Sequence, residues 1–307
     1  MSISESKTQT TTPTIGVFDS GFGGLTVLRA LVARLPQARY AFIGDTARLP
    51  YGSKSRRTIA RYAAQSAQFL VNEQGAEFLV IACNTASALA LDAIQEAVPV
   101  PVLGVIEPGA EAARAASRSG DVLVIATDAT VQSHAYAAAC RAHGLRVLEK
   151  ACPLLVPLVE EGWTGPLSTA ENTKEVSAAQ AASVPSQVDV TAEVIRIYLD
   201  ELSAEAAAQG MKPDTLVLGC THYPLLRPLI ERAVPAGMRV IDSAEATAET
   251  AVCLFGQHES EKPSSVAQLT NAQIRCFATD SVEKFERLGS RFLDQPTGKV
   301  ELVDLGG

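Results

Sequence analysis

Short runs of β-branched and aliphatic residues alternate along this chain with longer, alanine-rich segments in which apolar residues recur at helical spacing. Runs of the first kind predict strands and segments of the second kind predict helices. The runs predict strands at 14–18, 40–43, 78–83, 100–104, 122–127, 145–150, 215–220 and 239–242. Strands that alternate with helices are typical of βαβ units, so the pattern predicts an α/β fold built on parallel sheets.

Two of these runs, 78–83 and 215–220, are apolar on both alternating faces. Such runs indicate central strands that helices cover on both sides, and ligands bind at the carboxyl ends of such strands. Each run ends in a cysteine, which is followed by small polar residues and a new helix. The likeness of the two runs suggests two related halves.

The length of 307 residues is about twice the ~150 residues expected of one domain, which favours two domains. Prolines cluster just before residue 109 and predict a boundary near Glu107, and a second crossing is predicted near Cys220. The first domain would then comprise 14–106 and 220–307, and the second 107–219. The polar residues 1–13 predict a disordered leader, and the Ala/Ser-rich stretch 177–189 predicts an inserted surface loop.

The chain has 26 Lys and Arg residues and 34 Asp and Glu residues, which gives a formal net charge of −8. This balance opposes extended contact with phosphate backbones, so we expect no nucleic-acid partner. The apolar runs are too short to cross a membrane, and the polar start does not resemble a signal peptide. The six cysteines form no Cys-x-x-Cys pair, which fits a reduced compartment. We therefore expect a cytoplasmic protein without a membrane partner.

The glycine-rich segment 19–24 follows the first predicted strand and precedes the predicted helix 25–35. Free backbone N–H groups at such a helix start favour an anion. The segment does not match a dinucleotide site, because Thr26 occupies the place of the third glycine, nor does it match a P-loop. Two structural alternatives remain. The glycines could serve only a tight turn, and Asp19 and Ser20 could be helix caps.

Cys83 and Cys220 each lie at the end of a predicted strand, beside a helix N-terminus that would stabilise a thiolate. A lone cysteine in that place is usually a small buried apolar residue, but two in matching contexts indicate function. His222 is a candidate acid or base if a turn aims it at the same crevice as Cys220, and a packing residue otherwise. These three residues and Asp19 could form a zinc site, but no pair has finger-like spacing, so we predict no metal.

Four motifs carry a resemblance to a known family: GVFDSGFGGLTVL at 16–28, PYG at 50–52, ACNTAS at 82–87 and LGCTHYPLL at 218–226. Together with VIEP at 105–108, Thr127 with Thr130, and CPLLVPLVE at 152–160, they resemble the bacterial glutamate racemases over nearly all the chain after residue 13. Motifs in the same order, each at the end of a predicted strand, are highly specific.

The resemblance implies two α/β domains with glutamate in the cleft between them, one cysteine on each side, and no cofactor. In matching positions, the catalytic residues would be Cys83, Cys220, Asp19, His222 and Glu160. The substrate would be bound by Asp19, Ser20, Tyr51, Gly52, Asn84, Thr85, Thr221 and His222. Because Glu161 adjoins Glu160, the register of that carboxylate stays open from the sequence.

The same resemblance implies a homodimer and a place in peptidoglycan synthesis, through D-glutamate. The insertion at 177–189 leaves the dimer geometry open. Three other functions compete with glutamate racemisation. They are a related racemase or isomerase acting on aspartate, hydantoins or maleate, a two-domain solute-binding protein, and a thiol hydrolase. The last two have no use for paired cysteines on opposite sides of a cleft.

Overall fold

The structure, a computed structural model, describes residues 13–164, 189–255 and 273–306. The predicted leader 1–13 and the predicted insertion 177–189 lie outside these ranges except for Pro13 and Asp189, so both stay predictions. The strands are β1 Thr14–Asp19, β2 Arg39–Gly44, β3 Phe78–Ile81, β4 Val102–Gly104, β5 Asp121–Ala126, β6 Arg146–Ala151, β7 Thr215–Gly219, β8 Arg239–Asp242, β9 Gln273–Ala278 and β10 Val300–Leu302.

Helices connect most of the strands. They are α1 Leu25–Arg34, α2 Arg56–Asn72, α3 Asn84–Leu89, α4 Leu91–Ala97, α5 Ile106–Ala116, α6 Asp128–Ser133, α7 Ala135–Ala142, α8 Leu155–Glu160, α9 Val190–Ala208, α10 Arg227–Ala233, α11 Ser243–Phe255 and α12 Val282–Leu293. Short 3-10 turns occur at Thr46–Arg48, Tyr51–Ser53 and Tyr223–Leu226. None of the helices in the described ranges is long and apolar enough to span a membrane.

The strands form two parallel sheets. The larger has the order β10-β9-β2-β1-β3-β4 and the smaller the order β6-β5-β7-β8. Every residue of β1, β5 and β7 is buried, because helices cover both faces of these central strands. The predicted α/β class with two helix-flanked parallel sheets is confirmed, and so is the interior place of the runs at 78–83 and 215–220.

Strand β8 belongs to a different sheet from the one that the predicted domain boundaries imply. Strand β8 pairs in parallel with β7, so it extends the smaller sheet. The chain therefore crosses back to the larger sheet after Asp242, not at Cys220 as predicted, because the apolar run 239–242 finds its partner on the open edge of β7. The division of the chain into two domains otherwise stays a prediction.

Helix α12 packs beside the end of β1 through one stripe of buried residues. Its buried residues recur at spacings of three and one, so they form one stripe of the helix: Phe285, Leu288, Gly289, Phe292 and Leu293. This stripe packs on Phe22 of the glycine-rich segment through Phe285 and Phe292. The larger sheet thereby presents an aromatic wall next to the end of β1.

Candidate active site

The first candidate group lies where β1 ends. Asp19 is 2% exposed, and its Oδ2 accepts a hydrogen bond of 2.9 Å from the Gly21 N–H. Its Oδ1 is buried without a hydrogen-bond partner among the described residues. Burial raises the pKa of this carboxyl, while the Gly21 N–H and the charge of His222 lower it. Asp19 is therefore a carboxylate that can hold a proton more readily than an exposed one.

Cys83 caps the N-terminus of α3, as its position after β3 predicts. Its Sγ accepts a hydrogen bond from the Ala86 N–H at 3.4 Å and donates one to Ser20 Oγ at 3.3 Å. Burial nevertheless raises the pKa of Cys83 to about 12, the charge of Asp19 adds to the rise, and the bonds to Ser20 and Ala86 oppose it. The expected stabilisation of a thiolate by the helix is therefore outweighed, and Cys83 rests as a thiol.

Cys220 follows β7 and begins a chain of polar contacts. Its Sγ lies 4.0 Å from His222 Nδ1, and His222 Nε2 lies 3.2 Å from Glu160 Oε1. The second oxygen of Glu160 accepts from Lys284 Nζ at 3.4 Å. The turn after β7 thus aims Cys220 and His222 at each other, and the structure selects Glu160 over Glu161 as the carboxylate in contact with His222.

The protonation of His222 follows from these contacts. Burial on its own would lower the pKa of His222, but the hydrogen bonds to Cys220 and Glu160 outweigh burial and raise it to about 10. Burial likewise opposes ionisation of Glu160, but the contacts with His222 and Lys284 lower the pKa of that carboxyl. His222 and Glu160 are therefore a charged pair at neutral pH, and His222 carries a proton that can move to Cys220.

Gly23 is the point at which the two halves of the site meet. A Cβ on Gly23 would lie 2.4 Å from Thr221 Oγ1 and 2.6 Å from His222 Nδ1. On the same side, Thr26 Oγ1 donates to the Thr221 carbonyl at 3.2 Å. A glycine is required here because the backbone after β1 touches the turn after β7. The contact brings the glycine-rich segment and the Cys220 turn into one site.

Hydroxyl and amide groups surround the Cys83 side. Thr85 Oγ1 lies 3.1 Å from Thr127 Oγ1 and 3.3 Å from Thr130 Oγ1. Thr127 and Thr130 belong to the resembling stretches, but the residue-level prediction assigned them no role. The missed signal is their position, because Thr127 directly follows the central strand β5 and Thr130 lies three residues later on α6. Three hydroxyls so close together form a neutral donor cluster suited to a carboxylate.

Tyr51 and Gly52 lie on a separate edge of the site. The Tyr51 hydroxyl donates to Asp45 Oδ2 at 2.5 Å, and Arg48 Nε donates to both oxygens of the same carboxylate at 2.8 Å. Asp45 is fully buried and was missed in the sequence, because nothing in its local pattern marks it. The Tyr51 proton is therefore already engaged, and Tyr51 offers a ligand only its ring and oxygen lone pairs. A Cβ on Gly52 would meet no atom within 4 Å, so this glycine borders open space.

The zinc site that was weighed from the sequence, and not predicted, gains no support from the described part of the chain. The group of three potential metal ligands found there, within 4.8 Å of one another, is Glu107, Glu111 and His143. It lies on α5 and just after α7 and includes none of the four residues weighed as ligands. The expectation that the chain needs no metal remains untested.

Comparison with known proteins assigns the family. Residues 15–251 match the profile of the Asp/Glu/Hydantoin racemase family. The glutamate racemase of Koribacter versatilis is 48% identical, covering 96% of this chain and 98% of that protein. The crystal structure of a glutamate racemase from Bacillus anthracis has a TM-score of 0.75 at 34% identity and covers 95% of this chain and 98% of its own.

A second solved structure carries a ligand. The glutamate racemase from Francisella tularensis, solved in complex with D-glutamate, has a TM-score of 0.75 at 32% identity over 95% of this chain and 98% of its own. The identities and coverage are high enough to assign the family from end to end of the described fold. The chain therefore belongs to the Asp/Glu/Hydantoin racemase family, and within it to the glutamate racemases.

Proposed function

We propose that this chain interconverts L- and D-glutamate, with Cys83 and Cys220 acting on opposite faces of the substrate Cα in the cleft between the two sheets. The observation that carries the proposal is the pairing of two buried thiols with two separate acid–base groups. Cys83 lies beside Asp19, and Cys220 lies beside the His222–Glu160 pair. Each thiol follows a central strand of a different sheet.

Racemisation needs a base on one face of Cα and an acid on the other, because a single base cannot invert the centre without turning the substrate over. In one direction Cys83 takes the Cα proton after passing its own proton to Asp19. Cys220 then delivers a proton to the opposite face and is reprotonated by His222. One proton leaves Cα and one arrives. Asp19 ends protonated and His222 ends neutral, and from this state the opposite enantiomer uses the same groups in reverse. Exchange of these two protons with water restores the starting state.

The substrate would be held by neutral donors. Ser20, Asn84, Thr85 and Thr221 are buried or half-buried around the two thiols, and the threonine cluster extends this set. Neutral hydroxyl and amide groups can donate hydrogen bonds to the carboxylates of a substrate. The complex of the Francisella tularensis protein with D-glutamate supports glutamate as the ligand class.

The first prediction tests the activity and the absence of a cofactor together. Protein dialysed against chelator and freed of pyridoxal phosphate is expected to interconvert both glutamate enantiomers and to exchange Cα hydrogen in heavy water. Circular dichroism follows the inversion, and proton NMR follows the exchange. Loss of activity on chelation with recovery on added zinc would overturn the cofactor-free part. Exchange with aspartate but not glutamate, run in parallel, would overturn the substrate.

The second prediction concerns Glu160. Replacing it by glutamine removes the anion that stabilises protonated His222, so the pKa of His222 should fall from about 10 because burial then dominates. The alkaline limb of kcat, in the direction in which Cys220 delivers the proton, should move to lower pH by about one unit or more, the worth of a charge-assisted hydrogen bond. Rate profiles measured against pH in both directions check this shift.

The neighbouring carboxylate provides a matched control for this variant. Glu161 is exposed, so Glu161→Gln should leave the profile unchanged. The contacts of His222 also make the stability of the folded protein depend on pH. Because folding raises the pKa of His222 from 6.5, its stabilising contribution is complete below about 6.5 and is lost as pH rises through about 10. An alkaline limb that does not move in Glu160→Gln would show that Glu160 does not control the protonation of His222.

The wider role follows from the family. D-Glutamate made by this chain would supply peptidoglycan synthesis in a bacterial cytoplasm, and the enzyme would act as a homodimer. Deletion of the gene should then make growth depend on added D-glutamate, and sedimentation of the purified protein should give the mass of two chains. Growth without D-glutamate, or a single-chain mass, would contradict the corresponding part.

A further inference from the structure

Tyr136 is a buried tyrosine that joins the two halves of the molecule. It lies on α7, next to the smaller sheet, and its hydroxyl donates a 2.7 Å hydrogen bond to Oδ1 of Asn84 on α3. Its ring fits between two glycines. A Cβ on Gly109 would lie 3.1 Å from the ring Cε1, and one on Gly219 would lie 2.9 Å from Cε2. The ring therefore has a fixed place, and so does the hydroxyl that reaches Asn84.

The contact with Tyr136 decides which way the Asn84 amide faces. An asparagine amide has one oxygen that accepts and one NH2 group that donates. Burial raises the pKa of Tyr136 above its ordinary value, so its hydroxyl keeps the proton that it donates to Oδ1. The Asn84 Nδ2 is then turned away from Tyr136, and it is buried without a partner in the part of the chain that the structure describes.

An unpartnered buried NH2 group is costly and calls for an explanation. Asn84 is only 3% exposed, and its chain neighbours are Cys83 and Thr85 of the candidate site. A substrate carboxylate between these neighbours would supply the missing acceptor. The orphaned donor thus marks a place for an anionic group rather than a fault in packing.

We propose that Tyr136 is a positioning residue for the substrate: by holding Asn84 Oδ1, it directs Asn84 Nδ2 at a carboxylate of the bound amino acid. The inference rests on the proposed function, since it takes glutamate as the ligand. Tyr136 does not touch the substrate in this arrangement. Because Tyr136 and Asn84 belong to different halves, the amide is oriented only when the halves are together.

The test begins with Tyr136→Phe, which removes one oxygen and keeps the ring between Gly109 and Gly219. The KM for both glutamate enantiomers should rise about tenfold, the worth of one hydrogen bond, while kcat changes less than about twofold. Tyr40→Phe is the matched control. Tyr40 is equally buried, and its hydroxyl donates to the Leu35 carbonyl, so that variant should leave KM unchanged.

A double-mutant cycle separates positioning from general packing. In an Asn84→Ala background, Tyr136→Phe should change kcat/KM less than about twofold, because the amide that it orients is gone. Asn84→Asp keeps an acceptor for Tyr136 and removes the NH2 group, so its KM should rise at least as much as that of Tyr136→Phe. This variant also tests the inference if Tyr136→Phe fails to fold.

Three results would overturn the inference. They are an unchanged KM in Tyr136→Phe, an unchanged KM in Asn84→Asp, and a tenfold effect of Tyr136→Phe that persists in Asn84→Ala. All three are measured against a wild-type protein that racemises glutamate, and so apply where the proposed function holds. Failure of that function would appear separately, as a wild-type protein that neither inverts glutamate nor exchanges its Cα hydrogen.

Discussion

Cys83→Ser and Cys220→Ser are each expected to lose racemisation of glutamate by at least about 1,000-fold, because a serine hydroxyl is a far weaker base than a thiolate. Both substitutions keep the size of the side chain, so the loss reports chemistry rather than packing. Each variant, however, retains one competent thiol with its own partner. In the proposed mechanism, Asp19 would still serve Cys83 when Cys220 is replaced, and His222 would still serve Cys220 when Cys83 is replaced.

One competent thiol is enough for elimination from a β-chloro analogue of glutamate. The thiolate takes the Cα proton, the electron pair forms a double bond between Cα and Cβ, and chloride leaves from Cβ. No proton has to arrive on the opposite face. Each variant should therefore release chloride from the enantiomer whose Cα–H faces its remaining thiol, and the two variants should prefer opposite enantiomers.

Chloride release from the two enantiomers, measured for each variant, checks this expectation. Cys140→Ser is the control, since Cys140 is also buried but lies on α7 among apolar residues, and it should behave as wild type. If both variants favour the same enantiomer, the cysteines do not act on opposite faces. If Cys220→Ser racemises glutamate at the wild-type rate, Cys220 is a core residue and the two-base proposal is wrong.

The strands that the sequence predicted share a physical property. β1, β5 and β7 are buried on both faces, so their sequences are mostly apolar along their length. β9 and β10 were missed. The first half of β9 alternates polar with apolar residues, and β10 has three residues of which two are exposed. A strand near a sheet edge needs only one buried face, and it carries a correspondingly weaker pattern.

The residues of the candidate site also divide into those that could be predicted from the sequence and those that could not. Cys83 and Cys220 were predictable because each lies within two residues of the end of a buried strand, where ligand sites of parallel sheets form. Tyr136 and Lys284 were not, since their contacts with Asn84 and Glu160 join residues 52 and 124 positions apart. No local pattern encodes such contacts. The pKa of Cys83 was also misjudged, because the sequence locates the helix N-terminus but does not give the depth of burial.

Gly23→Ala is expected to reduce kcat for racemisation by about 100-fold, the cost of misplacing a catalytic group by about 1 Å. The new methyl carbon would lie 2.6 Å from both Cε1 and Nδ1 of His222, closer than any real contact. His222 has little room to retreat, because its ring lies 5.0 Å from that of Phe292 and its Nε2 is bonded to Glu160. The Cys220 turn must therefore shift away from the glycine-rich segment.

Gly21→Ala separates this collision from a general effect on the glycine-rich segment. Its methyl would come within 3.2 Å of the Leu49 side chain, which can turn aside, so the loss of kcat should be at most a few-fold. Steady-state rates and the melting temperature of both variants provide the comparison.

Chloride release from the two enantiomers of the β-chloro analogue shows which thiol the Gly23→Ala substitution impairs. Because the methyl displaces His222 and leaves Cys83 in place, Gly23→Ala should slow elimination from the enantiomer deprotonated by Cys220 much more than from the other. A variant within threefold of wild type in racemisation, or equally slow with both enantiomers, would show that the approach of Gly23 to His222 does not set the geometry of the second thiol.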